Sequence, residues 1–143
     1  KLFSTNTVKS VVLDEDAKVG MIWNGDFFKV SQELTGIDFI YPKEGFLIWV
    51  DCFAVLKQAS HKNSAYKFIN FMLKSESGSK ASVSSGFATA NQSAYQQLPT
   101  KLKHSPLIYP SKEVAKRGET LTYIGNKANT NIIKYWQKLK LLL

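Results

Sequence analysis

The chain has 143 residues, of which 44% are hydrophobic and 13% aromatic, and its formal net charge is +8. That is enough apolar material for one domain with a core, and too much for a disordered segment. No run of ~18 apolar residues occurs, so nothing reads as a membrane span, and the terminal Leu141-Leu142-Leu143 is far too short for an anchor.

The charge is unevenly placed. Residues 1–60 hold six lysines against eight acids, and residues 61–143 hold thirteen Lys/Arg against three glutamates. A basic half of this kind can mark a nucleic-acid surface. Here the basic residues are spread over four predicted helices with no recognised nucleic-acid motif, which reads as a solvated surface. The chain opens at Lys1-Leu2-Phe3-Ser4 without an initiator Met or a signal peptide, as expected of a processed or excised segment. The single Cys52 cannot form an internal disulfide. Beside Phe53-Ala54-Val55 it reads as a buried, inert thiol.

In chain order, Phe3–Thr7 is a polar loop, and Thr7 can cap a short helix over Val8–Asp14 with Val8, Val11 and Val12 on one face. Asp14-Glu15-Asp16 closes it. Adjacent carboxylates diverge and no further ligands follow at a metal spacing, so these acids read as solvated. Lys18–Trp23 is the first predicted strand. Asn24-Gly25-Asp26 then starts a helix over Phe27–Leu34, with Asp26 matching the helix dipole and Thr35-Gly36 ending it. Ile37–Tyr41 reads as a second strand, stopped by Pro42. This strand–helix–strand order predicts an α/β layer.

Pro42–Asp51 is the most informative stretch. Lys43-Glu44-Gly45 reads as a turn and Phe46–Val50 as a buried strand, short, aromatic and β-branched. Alternation puts Trp49 and Asp51 on one face, with Ile48 and Val50 on the other. An aromatic plate beside a carboxylate suits an organic cation, through cation–π attraction and a charge-assisted hydrogen bond. A core Trp with an Asp capping the next turn has the same sequence. Gly20–Gly25 repeats the theme, with Trp23 near the end of an apolar run, and open α/β sheets bind ligands at the C-terminal ends of strands.

Cys52–Leu56 continues extended. Ser60 can cap a helix through about Leu73, whose Ala65, Phe68, Ile69 and Met72 recur at helical spacing and predict a core stripe. Ser75–Ser85 is a weak helix, and Asn91 caps a short one. Pro99–Pro110 reads as a surface connection. Ser111–Arg117 is a short helix ended by Gly118. The last helix, Asn126–Leu141, is expected to pack through Ile132, Ile133, Trp136 and Leu139. His61 and His104 lack triad or metal partners. There is no nucleophile motif, phosphate loop or internal repeat, so the sequence argues for no enzyme and no cofactor.

Six stretches together resemble one family. Gly20-Met21-Ile22-Trp23-Asn24-Gly25, Tyr41-Pro42-Lys43-Glu44-Gly45, Ile48-Trp49-Val50-Asp51, Phe68-Ile69-Asn70-Phe71-Met72-Leu73, Ile108-Tyr109-Pro110 and Tyr135–Lys140 occur in the order found in the spermidine/putrescine-binding proteins of bacterial polyamine ABC transporters. The resemblance covers nearly all 143 residues. It implies a type II periplasmic binding protein fold of α/β class, of which this chain is the C-terminal part with pieces of both lobes. Residues 1–49 would form a second-lobe segment, residues 50–95 a crossover into the first lobe, and residues 96–143 a return to the second.

The resemblance also implies function: a periplasmic component that takes a linear polyamine in an interlobe cleft and delivers it to membrane permease subunits. By that likeness Trp23 and Trp49 sandwich the methylene chain and Asp51 binds an amine. Thr5 stands where the family has Ser, and Phe87 where it has Tyr. Leu121 occupies the position of a ligand-binding Gln. The other acidic ligands of the family lie outside this chain. It is thus expected to hold half a site, and to need either the missing N-terminal half or a second copy. A solute-binding protein for another small ligand, and a basic nucleic-acid module, are the alternatives.

Overall fold

The computed structural model describes residues 8–14 and 18–142. The chain opens with α1 (Val8–Leu13), which packs on α2 (Asn24–Glu33). The predicted first strand between them is not one. Residues 18–23 pair with nothing among the described residues, and Val19 and Met21 are almost wholly exposed. Residues 37–41 are likewise without a ladder. Both have strand-forming sequence, but strand pairing needs a neighbour as well as propensity.

α2 begins earlier than its pattern predicts, at Asn24, and buries Gly25, Phe27 and Val30. A relay of rings runs from it to the sheet. Phe27 meets Phe39 at 5.2 Å, Phe39 meets Tyr41 at 5.0 Å, and Tyr41 meets Phe46 at 4.6 Å. These are ordinary distances for tilted and edge-on aromatic pairs.

Phe46 opens β1 (Phe46–Ile48), which is shorter than its sequence predicts. Its partner is β2 (Gly118–Thr120), a strand with no clear sequence signal. The two run parallel, with Phe46 opposite Gly118, Leu47 opposite Glu119 and Ile48 opposite Thr120. Gly118 is obligatory there, because a Cβ would lie 2.1 Å from Ile48 Cδ1.

Between these strands lie α3 (Lys62–Met72), α4 (Ser75–Ser85), α5 (Gln92–Gln96), α6 (Thr100–Lys103) and α7 (Lys112–Ala115); α8 (Asn126–Leu141) follows β2. α4 packs against both α3 and α5. Asn91 caps α5 as expected, its side-chain oxygen accepting from Ser93 N at 3.0 Å and Ala94 N at 3.2 Å. Its amide also donates to the Leu73 carbonyl at 2.7 Å, so one residue closes α3 and opens α5. Ser111 caps α7 through Val114 N. The residue before α3 is His61, not Ser60, and no side chain caps that helix.

The core sits where a surface connection was expected. Leu98, Leu102 and Ile108 are buried together, with Phe28, Tyr95, Leu107 and Tyr109 packed around them. Pro99 starts α6 instead of breaking the segment, because a proline at a helix start loses no hydrogen bond.

The expected core faces of α3 and α8 are only partly covered: Ala65, Ile69 and Met72 of α3 are half-buried. Phe68 is 52% exposed, and Ile132, Ile133, Trp136 and Leu139 are exposed too. Cys52, expected buried, is also exposed. The whole chain presents 11627 Å² to solvent, where a compact monomer of 16.1 kDa presents roughly 7400 Å². No helix among the described residues is long and apolar enough to cross a membrane.

Candidate functional site

The site forms at the C-terminal end of β1. Trp49 follows the strand immediately and is 45% exposed; Trp23 is half-buried at the N-cap of α2. Their ring centroids are 3.9 Å apart with the planes inclined at 59°. The two indoles therefore touch and form a corner. The rings meet at an angle and their planes do not face one another. A corner offers one aromatic face and one edge to a chain lying along it, and leaves the opposite wall open.

Trp23 is held from behind. Asn24, the first residue of α2, donates to the Leu107 carbonyl at 3.1 Å and more weakly to the Tyr41 hydroxyl at 3.4 Å. Tyr41 donates to the same carbonyl at 2.6 Å. Burial pushes the Tyr41 hydroxyl above the ordinary tyrosine value of 10.0, and the bond from Asn24 acts against that rise. This knot of Asn24, Tyr41 and Leu107 joins the start of α2 to the loop after α6. Sequence reasoning misses it as part of the site. The Asn-Gly after Trp23 is its only signal, and on its own that pair reads as a helix start.

Asp51 lies exposed two residues beyond Trp49, where its carboxylate is free to meet a cation from solvent. Among the described residues it enters none of the salt bridges, which are Lys9–Glu33 at 3.4 Å and Lys80–Glu76 at 2.6 Å, both on the surface. Leu121 follows β2 as Trp49 follows β1, and it is 60% exposed.

Phe87 reaches the same neighbourhood from the other side. It follows Gly86, the left-handed residue that ends α4 (φ 81°), and its ring lies against Gly25 in the first turn of α2. Thr5 lies outside the described residues. Trp23 and Trp49 are thus gathered, and Phe87 stands within one helical turn of the Trp23 backbone.

A separate hollow of about 240 Å³ is lined by Thr89, Ala90, Gln92, Tyr95 and Tyr109. It holds no carboxylate, and the Tyr109 hydroxyl already accepts from Thr89 N at 3.1 Å. Among the described residues no group of His, Cys, Asp and Glu is placed to hold a metal ion.

The aromatic corner thus stands at the end of a parallel strand in an α/β scaffold. The fold is that of type II periplasmic binding proteins. The chain superposes with a TM-score of 0.88 on a solved structure from Listeria monocytogenes assigned as a spermidine/putrescine ABC transporter, at 25% identity, covering 96% of this chain and 42% of the other. Residues 3–110 match the family model for bacterial extracellular solute-binding proteins, and the chain belongs to that family. It is 33% identical over 138 residues to the spermidine/putrescine-binding periplasmic protein of Escherichia coli K12, and 30% identical over 138 residues to spermidine/putrescine-binding periplasmic protein 1 of Haemophilus influenzae. A putrescine/agmatine-binding protein of Pseudomonas aeruginosa is 26% identical over 146 residues. The first two matches cover 96% of this chain but only 39% and 38% of those relatives, so it spans well under half their length.

Proposed function

We propose that this chain is part of the substrate-binding component of a polyamine ABC importer, acting in the periplasm and binding a spermidine- or putrescine-like polycation. The observation that carries the reading is the Trp23–Trp49 corner, solvent-facing at the end of β1, with Asp51 two residues on. A polyamine alternates ammonium groups with methylene linkers. The indole faces cover the linkers and attract the charges, while Asp51 takes an ammonium end. Phe87 adds a third ring, and Thr5 a hydroxyl. In a partly desolvated cleft each such contact contributes ~1–3 kcal/mol. The protein would hand its ligand to permease subunits in the membrane, a binding role that requires no catalytic group.

The corner is half a site. One carboxylate cannot match two or more ammonium groups, and the corner has no facing wall. In this reading residues 1–49 and 96–143 belong to the second lobe and residues 50–95 to the first. The uncovered parts of the α3 and α8 faces then lie against the remainder of a full-length receptor. The surface in excess of a compact monomer, roughly 4000 Å² on this one chain, exceeds the roughly 1000–2500 Å² that each partner contributes to an obligate interface. A second copy of the chain could cover the same faces by exchange.

Calorimetric titration of putrescine and spermidine into the longest polypeptide its gene encodes, alongside the 143-residue chain, tests this. Micromolar or tighter binding by the long form is expected, with Trp49→Ala and Asp51→Asn each weakening it by about 10- to 100-fold. No binding by the long form, or binding indifferent to both substitutions, would sink the polyamine reading.

A further inference from the structure

We infer that Gly25 and Gly86 are positioning residues that set where the Phe87 ring stands, and so give the aromatic site its third wall. This rests on the polyamine reading for its purpose, though not for its geometry. The backbone of Phe87 is pinned to the end of α4: Ser82 Oγ donates to the Phe87 carbonyl, and Phe87 N donates to Ser85 Oγ at 3.3 Å. With the backbone fixed, the ring moves only by its own side-chain rotations, and in the rotamer it adopts it rests on Gly25 while staying 37% exposed.

The fit leaves no slack. A Cβ at Gly25 would lie 2.6 Å from Phe87 Cδ1 and 2.8 Å from Cε1, well inside contact distance. A Cβ at Gly86 would lie 2.7 Å from the Gly25 carbonyl oxygen, at a φ of +81° that disfavours any side chain. Both glycines are buried. The absent side chains let the end of α4 and the start of α2 approach until the ring of one covers the backbone of the other. Gly25 also sits inside a helix, where glycine is otherwise a poor choice and alanine the best one. A glycine retained against helix propensity, at the one point where a ring needs the space, is explained by that ring.

The consequence is a change of sign. Gly25→Ala should destabilise the protein when Phe87 is present and stabilise it, through helix propensity, when Phe87 is replaced by alanine. The experiment is a double-mutant cycle of Gly25→Ala and Phe87→Ala in the longest polypeptide its gene encodes, read first by thermal unfolding without ligand. Gly25→Ala is expected to lower Tm by roughly 3–6 °C with Phe87 in place, and to leave it level or raise it in the Phe87→Ala background. Gly86→Ala, which meets backbone, should lower Tm in both backgrounds. An equal cost of Gly25→Ala in both would overturn the inference.

The same variants are then titrated with α,ω-diamines of increasing methylene number. If the displaced ring is the wall for the methylenes, Gly25→Ala flattens the gain in affinity per added CH₂ as Phe87→Ala does, and adds nothing further when the two are combined. A merely structural loss would lower all affinities by one factor and keep the slope, and that would overturn the positioning role in binding. Failure of the wild-type protein to bind any diamine would refute the polyamine reading, while the unfolding cycle still decides whether Gly25 acts through Phe87.

Discussion

Residues 98–110 and α8 reverse what their sequences suggest. The first is interrupted by Pro99, Pro106 and Pro110, yet it supplies Leu102 and Ile108, exposed by only 4% and 3%. The second is a sixteen-residue amphipathic helix with Ile132, Ile133, Trp136 and Leu139 at helical spacing, and each of these stays at least 42% exposed. Periodicity records which face of an element seeks cover. It says nothing of where the cover is. The proline-rich segment has its cover in the same chain, from Phe28 in α2 and from Tyr95 and Tyr109. The apolar face of α8 is covered only in part.

The comparison is broken most directly by removing side chains from each region. Leu102→Ala or Ile108→Ala in the 143-residue chain should cost about 2–5 kcal/mol, read by urea unfolding. Ile132→Ala in the same chain should stay within about 1 kcal/mol, as for a largely exposed site. In the longest polypeptide its gene encodes, Ile132→Ala should rise to ~2–5 kcal/mol if the rest of the receptor covers α8. A large Ile132 cost in a demonstrably monomeric 143-residue chain would show that α8 finds its cover within it.

A smaller effect is expected at the α3–α5 junction. Asn91→Ala removes a cap and leaves the Leu73 carbonyl without its side-chain donor, costing about 1–2 kcal/mol. Because Asn91 belongs to the covered region, the loss should appear in the short and long forms alike.

Tyr41 should give the smallest effect, and one that depends on pH. Its proton is held more tightly in the folded chain than in the unfolded one. The stabilisation is therefore complete below the unfolded value of 10.0 and fades as pH rises through the higher folded value. Tyr41→Phe should cost about 1 kcal/mol at pH 7 and flatten the fall in stability above pH 10. An unchanged alkaline profile in Tyr41→Phe would show that the hydroxyl is not the titrating group.

Local signals were the legible ones. The span of α8, the cap at Asn91, and the closeness of Trp23 to Trp49 could be read because each depends on residues close in sequence or on a recurrent family pattern. What could not be read was long-range. Residues 18–23 and 37–41 carry strand composition without a ladder, whereas Gly118-Glu119-Thr120 pairs with little composition to announce it. In the site, the tryptophans were visible as residue types, but their corner geometry was not. Nor was the contact between Gly25 and Phe87, which joins two segments that no spacing rule connects.

The parallel register of β1 and β2 has a consequence in time. The two strands stand about seventy residues apart along the chain, and closing so long a loop is entropically costly and slow. During synthesis, Trp49 emerges well before Gly118–Thr120 exists to anchor the strand that carries it. A nascent chain arrested ahead of Gly118 would hold both tryptophans with β1 still unpaired. In the polyamine reading, the surface around Trp49 should therefore form only once residues 118–120 have emerged to pair with β1.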